Sequence, residues 1–309
     1  MKELKNYDLI VIGGGPGGYT AALYGARAGL RTVVLEKLSA GGQLALTHQV
    51  DNYPGFADGV DGYDLAENMQ KQALRFGAEA VSAEVFSADL RAEPKILVTS
   101  DGEYRGKTVI IATGADPRRL GLEGEERLQG RGVHYCAACD GYFYRDKVVA
   151  VVGGGNSAVA DALVLSRLAK RVIFIHRRDE LRATKVYHET LEQAENVELR
   201  LNREVTAILE NGRLTGLRLR NNITGEAEEL SCDGVFISVG RQPVTDFLQG
   251  QLALEDGYLS AGEDTKTEIP GVFAVGDVRR KPVRQVVTAV ADGAVAVHMA
   301  EEYLAQQRK

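Results

Sequence analysis

Apolar residues in this chain come in short unbroken runs, each closed by small residues and followed by a stretch at helical spacing. The first run, Tyr7 to Ile12, passes into Gly13-x-Gly15-x-x-Gly18, then a helix of small residues, then a second strand over Thr32 to Leu35. The same order returns later. Val148 to Val152 runs into Gly153-x-Gly155-x-x-Ala158, another helix, and a strand over Arg171 to Ile175. Each copy has a further apolar run ending in a small-residue turn, "VIIATGA" at 109–115 and "VFISVGR" at 235–241. A third pattern lies near the C-terminus, where a strand over Val272 to Val275 ends at Gly276-Asp277 and a long helix of small residues is predicted to begin near Arg284. "YDLAENMQKQALRF" carries Leu65, Met69, Ala73 and Phe76 at helical spacing, which predicts a core-facing helix.

A lone GxGxxG is weak evidence, but one set between a strand and a helix, with a second strand following, marks a dinucleotide-binding βαβ unit. The glycines allow a tight turn and let backbone N–H groups approach a pyrophosphate at the helix N-terminus. Two copies predict two dinucleotides and an α/β fold of two Rossmann-like domains. Aligning the copies on their first glycine puts Glu36 in the slot that His176 occupies in the second. A carboxylate there accepts hydrogen bonds from a free ribose 2′-OH, as in FAD or NAD. The second copy has no carboxylate at this slot and supplies Arg177, Arg178 and Arg182 nearby, which suit a 2′-phosphate and hence NADPH. FAD in the first copy is favoured by the third pattern. Asp277 is placed to accept from a ribityl hydroxyl, and the helix N-terminus to face the electron-rich edge of a flavin.

Composition narrows the setting. The chain has 309 residues, with 44% hydrophobic and 26% charged, long enough for two ordinary domains. A net charge of -6 argues against nucleic acid as a partner. No apolar run is long enough for a membrane span, and the N-terminus passes directly into a strand, so a cytoplasmic protein is expected. Of the three cysteines, Cys136 and Cys139 form a CxxC followed by Asp140. This spacing serves a metal site, a structural staple or a redox dithiol. Zinc requires about four ligands, and His134, Cys136 and Cys139 supply only three; Cys232 stands apart in "ELSCDGVFIS" and reads as a small buried hydrophobe.

"CAACDGYFYRD" followed by "VVGGGNSAVADAL" and "HRRDELRA", with "GGQL" and "DNYPG" upstream and "VFAVGDV" and "RQVVTAVADGAVA" downstream, resembles the low-molecular-weight, bacterial-type thioredoxin reductases across essentially the whole chain. The resemblance implies an FAD domain in two pieces, 1–115 and 243–309, with an NADPH domain carrying the CxxC, 116–242, inserted between them. It also implies a homodimer and a thioredoxin or thioredoxin-like substrate. Carried over residue by residue, Cys139 would lie against the flavin, Cys136 would attack the partner's disulphide, and Asp140 would handle the thiol protons. Gln43, Asn52, Asp277, Arg284, Gln285 and Val286 would contact FAD, and the backbone at Val85 would meet the adenine. Pro16, Lys37, Thr113, Gly114 and Gly276 complete the expected FAD site. Asn156 and Ser157 would sit near the NADPH pyrophosphate. The chain departs from the pattern at Ala160, where a glutamate is common beside the nicotinamide, and at Gly17, where alanine is frequent and the change is expected to matter little.

Because nicotinamide and CxxC ride on one domain, turnover is expected to need rotation of that domain about its two crossings. A carboxylate disfavours a neighbouring thiolate, so Asp140 is expected to transfer protons rather than to lower a thiol pKa. Two alternatives share this core. The flavoprotein partner of a peroxidase usually carries an added N-terminal thioredoxin-like part, for which no room is expected before Tyr7. A flavin-dependent dithiol oxidase would leave "HRRDELR" without a role.

Overall fold

In a computed structural model, which describes residues 5–37, 40–47, 49–184, 190–191, 193–248 and 250–307, the chain divides into two compact units. Unit 1 is Met1–Asp116 with Gln242–Lys309, and unit 2 is Pro117–Arg241. The first segment forms β1 (Lys5–Ile12), α1 (Pro16–Arg27), β2 (Thr32–Glu36), α2 (Gly62–Arg75), β3 (Glu79–Ser82), β4 (Val85–Asp89), β5 (Lys95–Thr99) and β6 (Gly102–Ile111). After the short strand β7 (Ala115–Pro117) come β8 (Val133–His134), α3 (Ala137–Asp140), β9 (Val148–Gly153), α4 (Asn156–Ser166), β10 (Arg171–Ile175) and β11 (Val197–Arg200). Next are β12 (Arg203–Glu210), β13 (Leu214–Asn221), β14 (Ala227–Ser231), β15 (Gly234–Ser238) and β16 (Arg241–Pro243). The return segment adds the hairpin β17 (Leu254–Glu255) and β18 (Tyr258–Leu259), then β19 (Val272–Ala274) and α5 (Val286–Gln306).

Unit 1 is built on a sheet ordered β3-β2-β1-β6-β5-β4, with β19 also pairing β6. Its centre is parallel, and β1 is buried on both faces, with Ile10 and Ile12 in one apolar cluster and Leu9 and Val11 in the other. Helices α1 and α5 pack together on one side, and their small residues explain how closely. A Cβ on Gly293 would overlap the Gly17 carbonyl, and one on Gly17 would stand 3.0 Å from the Ala289 oxygen. Gly17 therefore helps set the approach of α5 to α1 and matters more than its sequence context suggests.

Unit 2 has a parallel five-stranded sheet, β11-β10-β9-β15-β8, and a separate antiparallel sheet, β12-β13-β14. The registers of the two units correspond: Ile12 pairs with Leu35 as Val152 pairs with Ile175, so Glu36 and His176 leave equivalent strand ends. The helix expected around Leu65 exists, and Leu65 and Ala73 are buried. Phe76 instead caps its end and is exposed, with the guanidinium groups of Arg27 and Arg75 over its ring. The chain beyond Ala274 is not a plain turn. Buried Asp292 on α5 accepts from Gly276 N–H at 2.9 Å, from Arg279 through Nε and Nη2 at 3.0 and 2.7 Å, and from Lys281 Nζ at 2.7 Å. Arg279 also donates to the carbonyls of Ala261 and Gly262. This network ties the Gly276-Asp277 loop to the long helix.

Burial pushes the Asp292 carboxyl upward, but hydrogen bonds from Arg279, Lys281 and Gly276 outweigh it and hold the group below the ordinary carboxylate range. A group whose pKa is depressed by folding stabilises the folded state above its unfolded pKa, and that contribution is lost as pH falls through the folded value. Asp292→Asn would strand two buried cations and is expected to destabilise unit 1 by about 3–5 kcal/mol. Denaturant melts across acidic to neutral pH check this: the wild type should lose this part of its stability as the medium becomes acidic, and the variant should have none to lose.

Candidate active site

In unit 1, Gly13 has φ +102, and its Cβ position is filled by the Ala112 carbonyl, 2.5 Å away; a Cβ on Gly18 would overlap Gly13 itself. The protein's own packing demands both glycines. Gly15 is different. Its φ is -73, open to any residue, and nothing lies within 4 Å of where its Cβ would be. The open space faces the N-terminus of α1, where Pro16 takes the first helical position and unpaired N–H groups favour an anion. Glu36 accepts from Gly14 N–H and, at 3.0 Å, from Lys37 N–H, while Lys37 Nζ pairs with Glu84 at 2.6 Å. Ala83 N–H donates to the Glu36 carbonyl at 2.8 Å, which brings the start of β4 and Val85 near the same strand end.

The other expected residues of unit 1 fall into three hydrogen-bonded sets, with Arg284 beside them. Gly41 N–H donates to Gly14 O at 2.8 Å, holding the turn Gly42–Leu46, and with it Gln43, over the glycine loop; Gln43 donates to Asp116 at 2.9 Å. Thr113 Oγ1 donates to Val244 O at 2.7 Å, and Gly114 O accepts from Val244 N–H at 3.1 Å. Gln285 caps α5 through a reciprocal box with Thr288, and Asn52 donates to the Gln285 side chain at 3.0 Å. The helix thus starts at Val286, two residues later than its sequence suggests. Arg284 lies over the Tyr258 ring at 4.2 Å, and its buried Nε finds no partner among the described residues. Space above Gly15, an anion-favouring helix start and an orphaned Arg284 donor fit a flavin dinucleotide.

In unit 2 the second turn repeats the logic with other chemistry. A Cβ on Gly153 would overlap the Ser238 carbonyl, one on Gly154 would overlap the His176 ring, and Gly155, at φ -97, has nothing within 4 Å. His176 is buried, and its Nε2 has no hydrogen-bond partner among the described residues. Burial lowers its pKa below the ordinary imidazole value, so it is neutral near pH 7. Arg177, Arg178 and Arg182 are exposed, and none makes an ion pair among the described residues, whereas Arg171, Arg200 and Arg203 pair with Glu198 and Glu228. Arg182 and Ala183 N–H groups donate to Gly154 O at 2.7 and 3.0 Å, and Thr184 N–H donates to Asn156 Oδ1 at 2.9 Å, so the arginine segment is laced to the glycine turn. Ser157 is exposed on the first turn of α4. An open anion site beside arginines that make no ion pair among the described residues fits a dinucleotide carrying a 2′-phosphate.

The cysteines sit on the same unit, directly after β8. Cys136 and Cys139 form a disulphide with Cα atoms 5.3 Å apart, Cys136 capping the one-turn helix α3 and both partly exposed. Asp140 ends that turn, and its Oδ2 lies 3.0 Å from His134 Nδ1, while His134 Nε2 lies 2.7 Å from the Tyr144 hydroxyl. Behind the turn, Asp161 accepts from Ala137 N–H at 3.4 Å and from Ser238 Oγ at 2.6 Å, and burial raises its pKa against these donors. Sequence reasoning offered His134 only as a third zinc ligand and missed Asp161 altogether; only the neighbouring Ala160, which is exposed, was noted. His134 lay two residues before the CxxC, a visible signal, but nothing in one sequence links Asp161 to the cysteines. Cys232 lies between β14 and β15, buried, its thiol pushed up to about 12 by burial and by Asp233, which leaves it inert.

The family model for pyridine nucleotide-disulphide oxidoreductases matches residues 7–293. A thioredoxin reductase of Streptomyces clavuligerus is 47% identical over 99% of this chain and 95% of its own length. One from Mycolicibacterium smegmatis is 44% identical over 97% of each chain. Among solved structures, the thioredoxin reductase of Streptococcus pyogenes superposes with a TM-score of 0.92 at 40% identity, covering 98% of this chain and 100% of that one.

Since no protein atom needs the space above Gly155, Gly155→Ala is expected to leave folding of the ligand-free chain within about 1 kcal/mol of wild type. Nicotinamide nucleotide binding should weaken at least tenfold. Parallel melts and fluorescence titrations with NADPH separate the two effects.

Proposed function

Because the chain belongs to the pyridine nucleotide-disulphide oxidoreductases and, within them, to the thioredoxin reductases, we propose that it passes electrons from NADPH through FAD and the Cys136–Cys139 disulphide to thioredoxin or a thioredoxin-like protein. That it is a flavin- and nicotinamide-dependent oxidoreductase follows from the family; the choice of FAD, NADPH and thioredoxin is our reading. The observation carrying it is the disulphide on the same unit as a glycine turn flanked by Arg177, Arg178 and Arg182. The thioredoxin reading draws support from a Mycobacterium leprae relative, 44% identical over 97% of this chain and 66% of its own length, named a bifunctional thioredoxin reductase/thioredoxin.

Unit 1 would hold FAD at the Gly13–Gly18 turn, with Glu36 on the ribose and the Gly276-Asp277 loop and the start of α5 on the flavin side. A flavin bound there would supply the two-electron chemistry that links a nicotinamide to a disulphide. The protein's own residues then manage sulfur and protons. Cys136, once a thiolate, attacks the partner's disulphide, Cys139 closes the internal bond again, and Asp140 carries protons to and from the sulfurs. Between half-reactions the NADPH unit would turn about its crossings at β7 and β16, presenting the cysteine pair and the nicotinamide cleft in turn. No helix among the described residues is long and apolar enough to cross a membrane. We place the enzyme in the cytoplasm and expect a homodimer, by likeness to the family.

Turnover with NADPH and oxidised thioredoxin should vanish in Cys136→Ser, while flavin bleaching by NADPH persists. Neutralising Arg177, Arg178 and Arg182 together should cost about tenfold per arginine in kcat/KM for NADPH and little for NADH. Equal loss with both nucleotides would refute the 2′-phosphate assignment. An engineered crosslink between the units should stop steady-state turnover, and full activity in the crosslinked protein would overturn the rotation.

A further inference from the structure

The side chain of His134 is buried between two aromatic rings and meets two polar groups. Phe236 stacks on it with centroids 5.2 Å apart, and Tyr144 meets it edge-on at 5.1 Å. Its Nδ1 faces Asp140 Oδ2 at 3.0 Å and its Nε2 faces the Tyr144 hydroxyl at 2.7 Å. On a neutral ring facing a carboxylate, which can only accept, the proton sits on Nδ1, and Nε2 then accepts from the Tyr144 O–H opposite it. Tyr144 is suited to this, since burial first and the charge of Asp140 next push its hydroxyl up to about 12 and keep it protonated. Other charged and titratable groups, Asp233, Cys232 and Lys147, lie around Tyr144 rather than against the imidazole. Asp161 reaches the same short helix but through Ala137 N–H.

We propose that His134, with its tautomer locked by Tyr144, is a positioning residue for Asp140, aiming that carboxyl at the cysteine pair and setting the pH range over which it holds a proton. This rests on the reading of Asp140 as the proton carrier for Cys136 and Cys139. Opening their bond takes two electrons and two protons. In turnover NADPH supplies both electrons and one proton as a hydride equivalent, and solvent supplies the other proton. With dithiothreitol the reagent's two thiols supply both electrons and are themselves oxidised to a cyclic disulphide. In either case the sulfur that leaves as thiolate takes its proton from the carboxylic acid form of Asp140. A donor fixed on Asp140 Oδ2 favours the carboxylate, so removing it makes Asp140 hold its proton to higher pH.

The test follows the rate at which dithiothreitol opens Cys136–Cys139 in the full-length flavoprotein, from pH 5 to pH 9, each variant divided by wild type at the same pH. In His134→Phe the ratio should start several-fold below one at pH 5 and climb about tenfold toward pH 8, since a hydrogen bond to a charged group is worth about one pH unit or more. His134→Asn, whose amide N–H can replace Nδ1–H, should restore a nearly flat ratio close to one. Tyr144→Phe keeps the packing and loses only the hydroxyl, so it carries the test even if His134→Phe does not fold. Its ratio should fall and tilt in the same direction, by less. A flat ratio in Tyr144→Phe and His134→Phe, or identical behaviour of His134→Phe and His134→Asn, would overturn the proposal. Because this assay uses neither NADPH nor thioredoxin, failure of wild type to reduce thioredoxin would sink the substrate assignment alone.

Discussion

In each unit one contact shapes the nucleotide turn: a side chain leaving the second strand packs against the second of three consecutive glycines. Glu36 does so on Gly14, and His176 on Gly154, where a Cβ would overlap the carboxylate in one case and the imidazole in the other. The absence of a Cβ at these glycines lets the end of the second strand lie beside the anion-favouring start of the helix. Geometry is shared and chemistry is not. A carboxylate favours free hydroxyls, whereas a neutral buried imidazole adds no negative charge beside Arg177, Arg178 and Arg182, which make no ion pair among the described residues. On the reading proposed above, the residue that rests on this glycine is what would separate the two cofactors.

The carboxylates of the chain illustrate how surroundings assign roles to one functional group. Asp292 is surrounded by two cations and a backbone donor and is held ionised, which suits a structural clamp on the Gly276-Asp277 loop. Asp161 accepts from a hydroxyl and a backbone N–H, with the Arg241 charge acting more weakly, and burial outweighs them and raises its pKa. Asp140 is part-exposed beside the cysteines, with its carboxylate 3.0 Å from an imidazole nitrogen whose ring also meets a phenol hydroxyl at 2.7 Å. A clamp needs permanent charge, and a proton carrier needs a charge that is easily gained and lost.

The strands and both βαβ units were legible because their signals are local: apolar runs, glycine spacing and the small residues that follow. Arg171–Ile175 is a strand over the residues expected, and the other main strands differ at their ends by a few residues. Where reading by pattern fell short, a contact across the fold intervened. Phe76 keeps helical spacing but lies past the last turn of α2, so it serves as a lid under arginines rather than as core. Gly17 looked interchangeable with alanine until α5 was found against it.

By itself the sequence determined the fold class, the two glycine turns, the arginine cluster that follows the second of them and the CxxC, since each is a spacing of a few residues that backbone geometry converts directly into shape. Tertiary structure alone decided which groups attend the cysteines. His134 reaches Asp140 because β8 runs in register beside β15, stacking the ring on Phe236, and Asp161 reaches Ala137 from α4, the helix that follows β9. Hydrogen bonds of about 3 Å depend on how strands order themselves in a sheet, and that order is set by the packing of the whole unit, which no local pattern encodes.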